Sequence, residues 1–333
     1  MQPQVLIYGD SPLIQTEMIQ CLADVKLLKL EQESGEINQD FSPMRFVKYS
    51  GAHTVSEFQN FCRRKQSHFD PEQNESQDII WFCLGPKTSE ELLDYIIHYP
   101  GRYCLVLCEA KELERKAYTS FRALLKTKGL NDHKLITVSS HNGTGLARLV
   151  EQTFSFWGDS YDAQKIKNHT MLALLRNRES QRADSYIFWA AGRAFFIAAC
   201  PLPMADIGPL LANEAYMFFK VGKAYGYATD KAALTSFIGC IGASIGGMVL
   251  ASWLPLLKVP VAAGVTYAVG KAAQVYFESN MTLDQKKLKK VFADELKKGK
   301  KMDWKAIVEK LKIKKDSMPP EEYAENGESI LPK

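Results

Sequence analysis

The stretch Val5–Thr16, VLIYGDSPLIQT, decides how the first half of the chain folds. It begins with a short apolar run that predicts a strand over residues 4–8. Gly9 then opens a loop that contains Pro12, and the next helix is predicted over residues 13–22. A buried strand, a glycine loop and a helix are together the first step of a parallel α/β sheet.

The loop has the outline of a phosphate-binding P-loop, G-x-x-x-x-G-K-[ST], without the groups that hold phosphate. Gly9 and Thr16 occupy the first and last positions of that pattern. Ile14 replaces the second glycine, and Gln15 replaces the lysine that reaches the β- and γ-phosphates. Pro12 has no N–H to donate to an anion. We therefore predict a P-loop in position that has lost its function.

Short apolar strands alternate with helices as far as residue 157. This alternation predicts a parallel sheet covered by helices on both faces. Strands are predicted at residues 4–8, 45–49, 78–84, 103–108 and 135–138, and helices at 13–22, 55–64, 89–98, 112–126 and 145–157. The polar stretches 31–41 and 67–77 carry no periodicity and predict loops.

This order of elements resembles the G domain of Era- and dynamin-like bacterial GTPases. The resemblance places D-x-x-G at Lys48–Gly51 (KYSG), [NT]-K-x-D at Cys108–Lys111 (CEAK) and S-A-[KL] at Ser139–His141 (SSH). The family's G-x-G-L turn follows at Gly143–Leu146. The nucleotide-binding positions that the resemblance implies are Gly9, Gln15, Thr16, Lys48, Gly51, Lys111, Ser139 and Ser140.

Each charged position that would carry GTPase chemistry is changed. Gln15 removes the main positive charge on the transferring phosphate. Lys48 stands where an aspartate orders water and magnesium, and Lys111 stands where a carboxylate accepts the guanine's hydrogen bonds. We therefore expect a degenerate G domain with no catalytic residues, no metal and no cofactor. GTP and magnesium would bind only if the chain were an atypical hydrolase using backbone contacts and Thr16. A plain doubly wound α/β domain, whose glycines are only turns, is the other fold that remains open.

Past Trp157 the sequence becomes helical, glycine-rich and apolar, so we predict an all-α second domain. Residues 232–257 form a stretch of 26 residues without a charge, which exceeds the ~20 needed to span a hydrocarbon core. A second apolar helix is predicted over residues 259–277, with Pro260 in its first turn. The two predict a hairpin at a membrane or the centre of a soluble bundle. The small residues that suit close helix packing, in a membrane or in a bundle, are Gly239, Gly242, Gly246 and Gly247.

The second half carries a resemblance of its own, to the YcjF-like domain of unknown function over roughly residues 165–280. It rests on P-L-P-x-A-D at Pro201–Asp206, on K-x-P at Lys258–Pro260 and on the glycines and aromatics that follow. In that family the domain often follows a G domain, and some members are predicted inner-membrane proteins of bacteria. Asp206 itself is expected to be a helix N-cap. The predicted domains are 1–157 (degenerate GTPase-like), 158–281 (YcjF-like with the apolar hairpin), 282–315 (basic amphipathic helices) and 316–333 (disordered tail).

The basic segment 286–315 contains 13 lysines against four acidic residues, a local net charge of +9. A capping-box pattern at Thr282–Gln285 predicts the start of one amphipathic helix, Gly299 its end, and Asp303 the cap of a second. Such helices suit either an anionic membrane leaflet or a solvated surface. The segment has no arginine, and Phe292 and Trp304 fall on its apolar sides, so we expect no nucleic-acid partner.

The seven cysteines are scattered and form no C-x-x-C pair, so buried reduced thiols are expected rather than disulfides or zinc. From the two resemblances we expect a non-catalytic scaffold or regulatory protein at the cytoplasmic face of a bacterial inner membrane. Its partner would be a homologous active GTPase, or a second copy that pairs through the G-domain face. The alternatives are an atypical GTP-binding hydrolase and an integral membrane protein that acts through its hairpin.

Overall fold

The structure is a computed structural model that describes residues 4–9, 18, 29–30, 37–38, 45–48, 55–56, 79–99, 101–109, 115–130, 135–139, 143–156, 170–199, 207–227, 229, 231–251 and 258–313. At residues 29–30, 37–38, 45–48, 115–119 and 242–251, and at some element ends, it describes the backbone alone. The chain divides into two compact units, Met1–Arg176 and Asn177–Lys333.

The first unit contains the predicted parallel sheet. Its strands are β1 (Gln4–Tyr8), β4 (Arg45–Lys48), β5 (Ile79–Leu84), β6 (Tyr103–Glu109) and β7 (Leu135–Ser139), in the spatial order β4-β1-β5-β6-β7. All neighbouring pairs are parallel. The five strand predictions are therefore confirmed to within a residue at each end.

One predicted loop contains an element that the sequence did not reveal. Strands β2 (Lys29–Leu30) and β3 (Ile37–Asn38) pair antiparallel, and β3 lies inside the stretch 31–41 that was predicted as a loop. Strands of two residues are too short to show the alternation of apolar and polar residues from which strands are recognised.

Helices α1 (Glu90–Ile97), α2 (Arg115–Thr127) and α3 (Leu146–Ser155) follow β5, β6 and β7 respectively. One core packs α3 against side chains such as Trp81 and Val106, and a second core packs α1 and α2 against Phe82 and Leu105. Every residue of β5 is buried, which explains its unbroken apolar sequence. The prediction that both faces of the sheet are covered is confirmed. Of the helices predicted over 13–22 and 55–64, only residues 18, 55 and 56 are described, and these are helical.

The second unit is built from long helices. They are α4 (Thr170–Ala198, whose first turns belong to the first unit), α5 (Ile207–Ala224), α6 (Lys231–Ala251), α7 (Lys258–Glu278), α8 (Gln285–Gly299) and α9 (Trp304–Lys310). Pro260 lies in the first turn of α7, as predicted. Among the described residues, none of the helices is both long enough and apolar enough to cross a bilayer.

Helix α7 lies at the centre of this unit because glycines let its neighbours approach closely. A Cβ atom added to Gly299 of α8 would lie 2.8 Å from the carbonyl oxygen of Gly264, so the two helix backbones touch. A Cβ atom on Gly270 would lie 2.7 Å from Ile187 of α4. The close approaches of α8 and α4 to α7 thus use glycines of α7 and α8.

The glycines of α6 have different surroundings. Phe237 and Ile241 point into the core, whereas Ile238 and Gly239 are exposed. A Cβ atom on Gly239 would meet no atom within 4 Å. The predicted packing residues Gly242, Gly246 and Gly247 belong to the same helix, α6.

The predicted capping box was wrong in one detail. The N-cap of α8 is Asp284, whose carboxylate accepts hydrogen bonds from the backbone N–H groups of Lys286 and Lys287. The hydroxyl of Thr282 instead donates to the carbonyl of Ser279, which closes the turn after α7. The end of α8 at Gly299 and the cap of α9 by Asp303 are confirmed. Asp206 and the segment 316–333 lie outside the described residues.

Candidate functional site

The last residues of the five parallel strands lie together at one end of the sheet, here called the carboxyl edge. Strand β1 is flanked by β4 on one side and β5 on the other, and the chain order reverses direction at this point. In open α/β sheets, ligands bind beyond the carboxyl ends of the strands at such a reversal. The carboxyl edge around β1 is therefore the place where a ligand or partner is expected.

Gly9 follows β1 directly at the carboxyl edge. A Cβ atom built on it would lie 2.6 Å from the carbonyl oxygen of Cys83 in β5, so no side chain fits. The glycine is thus explained by strand packing alone, whether or not a phosphate was ever bound there. In the neighbouring strand β4, Lys48 pairs in register with Ile7 of β1. The predicted positions Gly9 and Lys48 therefore lie at the ends of adjacent strands.

The predicted position Ser139 lies at the end of β7, beside the end of β6. Glu109, in the stretch aligned with the base-reading motif, pairs in register with Ser139. The N–H of Ser139 donates to the carbonyl of Thr144, and the N–H of Gly143 donates back to the carbonyl of Ser139. This closed turn leads into α3.

The turn needs glycine at both of its glycine positions. Gly143 and Gly145 have φ angles of 72° and 81°, in the left-handed region that residues with a Cβ atom seldom adopt. The predicted G-x-G-L turn is therefore formed, with a steric reason for each glycine.

Motif matching missed one turn at the carboxyl edge, the segment Gly85–Ser89 after β5. The Thr88 hydroxyl accepts a hydrogen bond from the N–H of Gly85 at 2.9 Å, and the N–H of Thr88 donates to the carbonyl of Gly85. Ser89 then caps α1, and Lys87 is exposed in the turn. The turn is indicated in the sequence by GPKTS, which follows the apolar strand β5.

The remaining predicted nucleotide positions lie outside the described residues. They are Gln15, Thr16, Gly51, Lys111 and Ser140. Among the described residues there is also no cluster of His, Cys, Asp and Glu that could hold a metal ion. Cys83, Cys104 and Cys108 are buried thiols that form no disulfide, as predicted, and Cys240 is a half-buried thiol that forms none either. Burial raises the pKa of Cys104 to about 12, so its thiol is unreactive.

The second unit contains a polar network that sequence patterns did not reveal. Lys271 of α7 binds Asp184 of α4 and donates to Gln274 at 2.9 Å. Gln274 donates in turn to the hydroxyl of Tyr225 at 3.2 Å, and this hydroxyl donates to Glu278 at 2.6 Å. Burial and the neighbouring Glu278 carboxylate raise the pKa of Tyr225. Because each of these groups has a partner, the network joins α4, the end of α5 and α7 rather than presenting a reactive group.

Glu214 on α5 is an acidic group of the second unit whose carboxyl group is desolvated. Its carboxylate accepts a hydrogen bond from the Thr266 hydroxyl at 3.2 Å. Burial raises its pKa to about 7, an effect that the Thr266 hydrogen bond partly offsets. The carboxyl group is thus desolvated although the residue as a whole keeps some exposure. Next to it, the buried side-chain oxygen of Asn213 has no hydrogen-bond partner among the described residues.

Comparison with known proteins adds no further identification. No family model matches the sequence, and no curated protein or solved structure matches it either.

Proposed function

We propose that this chain is a non-catalytic, GTPase-like scaffold or regulatory protein that associates with a membrane and partners a homologous active GTPase. The observation that supports it is the arrangement of the carboxyl edge. Gly9, Lys48 and Ser139 lie at the ends of three parallel strands, as the resemblance to a G domain requires. The strand order places β1 next to the strand that carries Lys48.

The chemistry of this edge suits protein contact better than nucleotide turnover. By the resemblance, Lys48 stands in the place of the aspartate that orders magnesium in a G domain, and a lysine in that place would repel a metal ion. Gln15 supplies no charge to a phosphate. A G domain that has lost these groups still keeps the face through which such domains pair.

Calorimetric titration with GTP, GDP and ATP in the presence of magnesium tests the first part of the proposal. We expect no tight binding and no hydrolysis. Micromolar affinity for GTP, with turnover that disappears in Thr16→Ala, would instead establish the atypical hydrolase.

Partner binding tests the second part. The GTPase to use is one with intact G-K-[ST], D-x-x-G and N-K-x-D motifs, sought first among neighbouring genes. If the carboxyl edge is the contact face, Lys87→Glu should weaken the complex, because Lys87 is exposed in the turn after β5. The matched control is Lys126→Glu. Lys126 is also exposed, but it lies in the last turn of α2, and a helix that returns between parallel strands ends at the opposite edge. Equal effects of the two variants would contradict this use of the carboxyl edge.

A further inference from the structure

Seven exposed lysines lie in α8 and α9 or directly after them, and this group is here called the lysine surface. Its members are exposed and have no ion-pair partner among the described residues: Lys286, Lys290, Lys300, Lys301, Lys305, Lys310 and Lys312. Three other lysines of the segment, Lys287, Lys297 and Lys298, are paired with Asp284, Asp294 and Glu295. The local excess of positive charge is therefore carried mainly by the unpaired group.

The apolar sides of the same two helices are already occupied. Leu288 and Phe292 of α8 are fully buried in the core of the second unit. Trp304 of α9 is buried as well, and its indole N–H donates to the carbonyl of Gly299 at 2.8 Å. An amphipathic helix enters a membrane with its apolar face, and here that face is packed against protein. These helices can therefore meet a membrane only through their lysines.

The lysines are presented on a fixed frame. Lys286 and Lys290 are one turn apart on α8, and Lys301 follows its last turn, so the three extend over about 22 Å. The Asp284 cap fixes the start of the helix, and the contact between Gly264 and Gly299 fixes its end. Clusters of about four to eight basic side chains are typical of sites that bind anionic lipid headgroups, and the lysine surface falls in this range.

We propose that the lysine surface docks this protein on an anionic lipid bilayer by charge alone, without insertion of α8 or α9. A positively charged surface is complementary to an anionic bilayer. Nucleic acid is the less suitable partner, because the segment contains no arginine. Its aromatic residues, Phe292 and Trp304, are also buried, so no base can stack on them. The inference rests on the membrane-associated part of the proposed function and specifies how that association occurs.

Co-sedimentation of the full chain with phospholipid vesicles tests the inference. We expect binding to vesicles containing phosphatidylglycerol, none to pure phosphatidylcholine, and release by 0.5 M NaCl, because screening weakens contacts between exposed charges. The triple variant Lys286→Gln, Lys290→Gln, Lys301→Gln should bind about 100-fold more weakly.

Two matched variants separate charge from other causes. The same three positions changed to arginine keep the charge and should keep the binding. Lys87→Gln, Lys126→Gln removes two exposed charges from the first unit and should leave vesicle binding unchanged. Circular dichroism confirms that each variant is folded, which is expected because the substituted side chains lie mainly on the surface.

Several outcomes would overturn the inference. Binding to neutral vesicles that resists high salt would mean that an apolar segment inserts. Tighter binding to a DNA or RNA duplex than to the anionic vesicles would assign the surface to nucleic acid. If the native chain occurs in the membrane fraction of cells but ignores anionic vesicles, this inference fails while the proposed membrane association stands. If the chain is absent from that fraction, the proposed function itself loses its membrane part.

Discussion

Replacing Glu214 with glutamine should make the second unit more stable at neutral and alkaline pH. The Glu214 carboxyl group lies between α5 and α7, where it accepts a hydrogen bond from Thr266. Burial raises its pKa from 4.5 to about 7. The folded protein therefore binds this proton more tightly than the unfolded chain does, and a glutamine needs no proton.

The expected size of the effect follows from the pKa difference. An acid whose pKa is raised on folding contributes fully to stability below its unfolded value, and this contribution is lost as the pH rises toward the folded value. The loss here occurs between pH 4.5 and about 7. At 1.36 kcal/mol for each pKa unit, its upper limit is roughly 3 kcal/mol, and solvent that reaches the partly exposed residue reduces it.

Unfolding in urea at pH 5 and pH 8, followed by hydrogen exchange of peptides from α5 and α7, measures this difference within the full chain. The wild type should lose stability in these peptides between the two pH values, and Glu214→Gln should lose much less. At pH 8 the variant should be the more stable protein. Glu309→Gln, an exposed change on α9, is the control that should leave the pH dependence unaltered.

The reasoning is refuted if Glu214→Gln shows the same pH dependence as the wild type. It is also refuted if the variant is less stable than the wild type at pH 8, since that would make the ionised carboxylate a stabilising acceptor.

Three more outcomes are expected. Gly299→Ala should destabilise the second unit by about 2 kcal/mol in urea unfolding, because its Cβ would lie 2.8 Å from the Gly264 carbonyl oxygen. Gly239→Ala should stabilise α6 by about 0.5–1 kcal/mol, because its Cβ would meet no atom within 4 Å. A loss of stability in both variants would refute the packing argument. Gly9→Ala should destabilise the first unit by about 1–3 kcal/mol in the same assay, since its Cβ would meet the Cys83 carbonyl oxygen at 2.6 Å. An unchanged urea midpoint of unfolding would show that β1 and β5 can separate freely at this position. The folded triple variant Pro12→Gly, Ile14→Gly, Gln15→Lys should gain weak, phosphate-dependent binding of GTP and ATP alike in calorimetry. No gain in triphosphate affinity would show that the loop after β1 does not follow a P-loop path.

The sequence by itself determined the elements whose cause is local. The run DIIWFCL predicted β5 because a strand buried on both faces needs apolar residues at every position, and all six residues of β5 are buried. Asp303 was predicted as a cap because its carboxylate needs only the N–H groups of the next turn. The two glycines of the Gly143–Leu146 turn likewise follow from backbone angles that few other residues adopt.

The tertiary structure alone decided features that depend on distant partners. The apolar sequence of residues 259–277 predicted either a membrane hairpin or the centre of a bundle, and only the approach of α8 at Gly264 and of α4 at Gly270 places them in the centre of the second unit. Thr282 and Asp284 are both competent caps, and the turn after α7 engages the threonine and leaves the aspartate for α8. Glu214 looks like any helical glutamate until α5 and α7 pack and remove water from its carboxyl group. Periodicity shows which residues seek burial, whereas the partners that bury them come from parts of the chain far away in sequence.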